Sequence, residues 1–115
     1  RRGPEMESHA TIAWITCRDH DQAVLIGRSL VEEQLAACVN ILDGMESIFS
    51  WQGTLETARE CVLVAKTFSH LSERLTKRVV ALHTYEVPCV LFMPVTGGNP
   101  AFLDWMNAQA GRQVR

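Results

Sequence analysis

His83, Tyr85 and Glu86 fall within four residues of one another and run directly into Pro88. Neutral imidazole suits copper, zinc and nickel, and a carboxylate three residues on at Glu86 could share an ion with His83. A thiolate at Cys17, where an early strand ends, would add a ligand favouring Cu(I) if the fold brings it alongside. The structural alternative has His83 bonding the last carbonyls of a helix and Cys17 packed in the core. Residue types leave both readings open. His20 sits between Asp19 and Asp21, a surface group able to chelate a metal but read more simply as a solvated helix start. His9 lies in the opening stretch and His70 at the start of a second helix.

Positioning that corner requires a helix that stops and a strand that begins. Pro88 ends any helical continuation and biases the residue before it toward extended backbone. Ahead of it, Leu71, Leu75, Val79 and Leu82 form the apolar stripe of a helix capped at Ser69 or Ser72. Behind it, Cys89 to Met93 is a strand, with Pro94 marking an edge. Earlier in the chain, Thr11 to Cys17 is β-branched and apolar on both faces, as a central strand would be. Asp19 with Gln22 resembles a capping box, and Ala23, Gly27, Leu30, Val31 and Leu35 line one face of the helix that follows. Gly27 on that stripe lets the helix approach a sheet.

Cys38 to Leu42 reads as a strand, Asp43-Gly44 as a tight turn, and Met45 to Trp51 as the returning strand; Gln52-Gly53 marks another reversal before the apolar run Cys61 to Thr67. Asn99-Pro100 opens a short terminal helix with Phe102, Trp105 and Met106 inward, closed by Gly111. The order β-α-β-β-α-β plus a C-terminal helix specifies an α+β, ferredoxin-like split βαβ domain: an antiparallel sheet with two helices on one face. Residues 1–9 read as a flexible N-terminal tail, 10–111 as the domain and 112–115 as a C-terminal tail. With no helix assigned to the other face, Trp14, Phe49, Trp51 and Phe92 need cover that a second subunit would supply.

The 115 residues suffice for one domain, and 47% apolar composition is that of a soluble globular protein. A formal charge of −2 with interspersed signs offers no footprint for a phosphate backbone, so nucleic acid is not an expected partner. No apolar run reaches membrane-spanning length and the opening residues lack a signal peptide's apolar centre, so a cytoplasmic protein with no membrane partner is expected. Cys17, Cys38, Cys61 and Cys89 form no C-x-x-C pair and read as reduced, buried thiols.

Thr16-Cys17 ahead of an acidic helix cap, and the segments Glu32-Glu33-Gln34-Leu35-Ala36-Ala37-Cys38-Val39-Asn40, Ser47-Ile48-Phe49-Ser50-Trp51-Gln52-Gly53, Lys66-Thr67, His83-Thr84-Tyr85-Glu86-Val87-Pro88, Pro94-Val95, Gly98-Asn99 and Phe102-Leu103-Asp104-Trp105, resemble, in order, the CutA family of divalent-cation tolerance proteins. That resemblance implies a tight homotrimer of ferredoxin-like subunits and a response to divalent metal ions, copper especially. The family's corner is usually His-Pro-Tyr, where this chain carries Thr84, and Leu82 stands where some members have a second histidine.

Enzyme templates are missing: there is no nucleophile elbow, Walker loop, dinucleotide fingerprint or zinc-protease helix. Acylphosphatases share the topology, but Cys17-Arg18-Asp19-His20-Asp21 would repel the phosphate such an enzyme binds. The expectations are therefore a non-enzymatic, copper-binding tolerance trimer with His83, Glu86 and Cys17 as ligands, and an inter-subunit cleft lined by Trp51, Lys66 and Tyr85. The alternative is a trimeric small-ligand sensor of the P-II type using that cleft.

Overall fold

A computed structural model describes residues 7–111. Strand β1 (Ala10–Cys17) alternates, with Thr11, Ala13, Ile15 and Cys17 buried beneath the helices and Trp14 and Thr16 half-buried on the opposite face. Helix α1 (His20–Glu32) starts where Asp19 Oδ1 accepts the Gln22 N–H at 2.9 Å. The reciprocal bond of the expected capping box is displaced by one residue: the Gln22 side-chain oxygen accepts the Arg18 N–H at 2.7 Å. Ala23, Ile26, Gly27 and Leu30 face the sheet, whereas Val31 is exposed. A Cβ on Gly27 would lie 3.0 Å from Val39 Cγ2 and 3.1 Å from Leu63 Cδ1, so the missing side chain sets how close helix and sheet can pack.

The helix stops before Leu35, which the expected stripe included. Gln34 takes the left-handed conformation at φ 60, and the Leu35 N–H reaches back to the Leu30 carbonyl at 2.8 Å. This is the helix stop that glycine usually makes, and it turns Leu35 into the core beside α1.

Strands β2 (Cys38–Trp51) and β3 (Thr54–Phe68) form one long hairpin, closed by Gln52 and Gly53 at φ 52 and 81, the left-handed pair of a tight hairpin turn. Asp43-Gly44 does not reverse the chain, contrary to the sequence expectation. Both flanking segments pair with β3: the ladder passes from Leu42 opposite Val62 to Met45 opposite Glu60, so Asp43 and Gly44 together face Cys61 as a β-bulge. Gly44 at φ 76 absorbs the bend.

A 3₁₀ turn (Ser69–Leu71) leads into α2 (Ser72–Leu82), which buries Leu75 and Val79. Neither serine caps α2 as expected. Ser69 Oγ accepts the His9 N–H at 2.9 Å, the Ser69 N–H returns to the His9 carbonyl at 2.8 Å, and Ser72 Oγ donates to the Ser69 carbonyl. Ser8 bonds His70 as well, so the last residues of the expected flexible tail are tied to the domain; residues 1–6 and the expected C-terminal tail at 112–115 lie outside the described chain.

Strand β4 (Val90–Pro94) closes the antiparallel sheet in the order β2-β3-β1-β4, giving the ferredoxin-like topology. Phe92 sits opposite Ala13 and packs against the helix-side core, so it needs no cover on the other face. Helix α3 (Pro100–Met106) begins with Asn99 Oδ1 accepting the Ala101 N–H and continues into a π-helical turn (Asn107–Gly111). Only Met106 is buried; Phe102 and Trp105, expected inward, are exposed. Lys66 Nζ lies 5.4 Å from the Phe102 ring centre, so α3 covers one end of the sheet face opposite α1 and α2.

Candidate functional site

The loop after α2 carries the chain from the helix-covered face, past the end of β1, to the open face. His83 is its pivot. Its N–H continues the helix to the Val79 carbonyl, its Nε2–H donates to the Thr16 carbonyl at 2.7 Å, and its Nδ1 accepts the Tyr85 N–H at 3.0 Å. A carbonyl on one ring nitrogen and an N–H on the other fix a single neutral tautomer. The Tyr85 ring packs 4.7 Å from that imidazole, and its hydroxyl donates to Glu60 Oε2 at 2.6 Å. Burial first, and the Glu60 carboxylate second, push the Tyr85 phenol above its ordinary range. Glu60, on β3, is itself buried.

Thr84, standing where the resemblance puts a proline, has its own task. Its hydroxyl oxygen accepts from Gln22 Nε2 at 2.8 Å and Arg18 Nη1 at 3.0 Å, lashing the loop to the start of α1. Proline offers no such acceptor.

Below the loop, the open face forms a concavity of about 840 Å³ walled by Trp14, Phe49, Trp51, Glu60, Tyr85 and Glu86, among others. Of the expected cleft residues, Trp51 and Tyr85 line it. Lys66 does not; it lies on the part of that face covered by Phe102.

The expected ligands His83, Glu86 and Cys17 are not brought together. Both ring nitrogens of His83 are engaged, Glu86 is exposed toward the concavity, and Cys17 is fully buried on the helix side of β1. Burial, reinforced by Cys61, also pushes the Cys17 thiol up to about 12. Among the described residues, the ligating side chains that do converge are His20, Asp43 and Cys61.

A family profile described as "CutA1 divalent ion tolerance protein" matches residues 11–109. The chain belongs to this CutA1 family. It is 42% identical over 100 residues to the Divalent-cation tolerance protein CutA of Thermus thermophilus, spanning 87% of this chain and 97% of that one. It is 39% identical to the Protein CutA, chloroplastic, of Arabidopsis thaliana, of which the match covers 84% of this chain but only 53% of the relative. The solved structure of the divalent cation tolerance protein from Thermus thermophilus superposes with a TM-score of 0.86 at 41% identity, over 89% of this chain and 99% of that one.

Within this CutA1 fold, the residues that sequence reasoning missed are Glu60, Asp43 and Cys61. His20 Nδ1 lies 2.9 and 3.2 Å from the two Asp43 oxygens, and the Cys61 thiol donates to Asp43 Oδ1 at 3.3 Å. Hydrogen bonding to Asp43 raises the His20 pKa, the same bond lowers that of Asp43, and burial followed by the Asp43 carboxylate pushes the Cys61 thiol up to about 11. The signs fix the pH window of this exposed ion pair. The His20 contribution is complete below its unfolded pKa of roughly 6.5 and fades as pH rises through its raised folded value; the Asp43 contribution is complete above roughly 3.9 and fades as pH falls through its lowered one. In Asp43→Asn, NMR titration of the His20 ring should show its pKa falling back toward the unperturbed histidine value. An unchanged titration would mean that the pair does not form in solution.

Proposed function

We propose that this CutA1-family chain acts in divalent-cation tolerance, copper included, as a homotrimer whose subunits cover one another's open faces and turn the concavity into an inter-subunit site. The observation that carries this reading is the apolar character of a face the chain leaves uncovered: Trp51, Leu91 and Met93 lie 43%, 64% and 44% exposed beside half-buried Trp14. A lone subunit would keep that surface in water at a cost of about 25 cal/mol per Å². Glu56 and Glu86 are the carboxylates that a cation entering the concavity would meet, while Glu60 is held by Tyr85. The role assigned is binding rather than catalysis.

Four free thiols, two of them fully or nearly fully buried, suit a reducing compartment, and we place the protein in the cytoplasm on that ground. Among the described residues no helix is long and apolar enough to cross a membrane. Two measurements test the reading together. Light scattering on eluting protein should give the mass of three chains, and a host stripped of its own copy should regain growth on inhibitory copper when this chain is supplied. A monomer mass that persists on concentration, or copper sensitivity unmoved by the chain, overturns it.

A further inference from the structure

The start of α1 and the bulge in β2 bring three different ligand chemistries to one point. His20 offers an imidazole nitrogen, Asp43 a carboxylate and Cys61 a sulfur, with donor atoms all within 4.8 Å of one another. The bulge is what aims Asp43: two residues of β2 face the single Cys61 of β3, which sets the carboxylate over the thiol. Asp19 caps α1 and thereby fixes His20 as its first residue.

We propose that His20, Asp43 and Cys61 form a binding site for a zinc-class divalent cation, separate from the open-face concavity. Tetrahedral zinc with bonds of about 2.0–2.3 Å separates its ligand atoms by roughly 3.3–3.8 Å, so the observed 2.9 and 3.3 Å spacings need adjustments of under about an ångström. One nitrogen, one oxygen and one sulfur make a borderline-soft set, matched to Zn(II) or Co(II) rather than to Mg(II) or Ca(II). Three protein ligands leave a fourth position to water. His20 and Asp43 are 57% and 62% exposed at the side chain, so an ion reaches the site without opening the core, while Cys61 anchors it from below at 2% exposure.

On binding, the ion replaces the proton between His20 Nδ1 and Asp43, and the Cys61 thiol gives its proton to solvent. The displaced protons make the metal compete for its ligands. Arg59 reaches the bulge beside Gly44, and its charge opposes the incoming cation, so the affinity is modest.

Titrating reduced, untagged protein with Co(II) tests the site. The expected result is one Co(II) per chain, a sulfur-to-cobalt charge-transfer band in the near ultraviolet, and loss of that band when Zn(II) is added. His20→Gln and Asp43→Asn each remove a ligand from the exposed side without touching the core. Each should weaken binding by more than the roughly 10–100-fold that loss of an outer partner costs. Cys61→Ser should abolish the band, and Cys17→Ser, the neighbour directly across the ladder, should keep it. No saturable band, a band lost with Cys17→Ser but not Cys61→Ser, or binding unaffected by both exposed variants would overturn the site. None of those outcomes bears on trimer formation, which is measured separately.

Discussion

Replacing His83 with alanine is expected to lower the unfolding free energy by about 2–4 kcal/mol, because it removes two hydrogen bonds and leaves their partners unpaired. The imidazole satisfies the Thr16 carbonyl and the Tyr85 N–H together, in a position only 9% exposed. Losing it also frees the Tyr85 ring from its neighbour and loosens the hydroxyl's grip on buried Glu60. Metal bound per chain should stay the same, since neither ring nitrogen has a lone pair to spare. Chemical denaturation and metal titration of the same variant separate the two roles. A drop in metal affinity with the midpoint of unfolding unmoved would show that His83 is a ligand after all. Tyr85→Phe is the companion measurement: the two losses should fall short of additive, because both residues hold the same loop.

The order of elements was legible because period-two and period-3.6 patterns alternate cleanly along this chain, and because Pro88 and Gln52-Gly53 mark changes of direction that depend on local backbone alone. Asp43-Gly44 carried the same local signal and meant something else. A glycine after an aspartate permits a left-handed residue, but whether the chain then reverses or merely bulges depends on which strand lies alongside, and β3 comes later in sequence. Leu35 illustrates the reverse case. Its apolar side chain announced burial correctly, while the helix expected to deliver it ended earlier at a left-handed Gln34, a residue whose type gives little warning of that conformation. Helix α3 was misread on its inward face for a similar reason: Phe102 and Trp105 are apolar, yet the fold leaves both exposed.

The corner at residues 83–86 announced itself through residue types that can do chemistry, and those types also make good structural clasps. What separates the two is the partner of each polar atom. Thr16 contributes a main-chain carbonyl, and no side-chain pattern shows that an imidazole will claim it. Glu60, which takes the Tyr85 hydroxyl, stands in a charged stretch before an apolar strand, and nothing in its sequence neighbours singles it out. The converging set of His20, Asp43 and Cys61 was only one-third visible. His20 drew notice for its acidic neighbours in sequence, whereas its partners in space come from two strands of a hairpin that begins beyond the end of α1.

Leu91→Lys is expected to dissociate the proposed trimer while leaving the isolated subunit folded. Leu91 is 64% exposed on edge strand β4, opposite Trp14 on the open face, and touches little that a single chain needs. A lysine there would change the stability of a monomer by no more than about 0.5 kcal/mol. In a trimer that covers this face the effect multiplies: each leucine withdrawn from burial costs about 1.5–3 kcal/mol, or roughly 5–9 kcal/mol over three copies, before any penalty for an unpaired charge. At about 1.4 kcal/mol per factor of ten, the assembly constant should fall by at least a thousandfold. Val80→Lys is the control, because Val80 is comparably exposed at 51% but lies on α2, on the other side of the sheet. Light scattering should find Leu91→Lys as single chains and Val80→Lys as trimers, with the melting temperature dependent on concentration only where assembly persists. Equal masses and equal melting for both variants would place the interface elsewhere, and the apolar residues of the open face would then need a different partner.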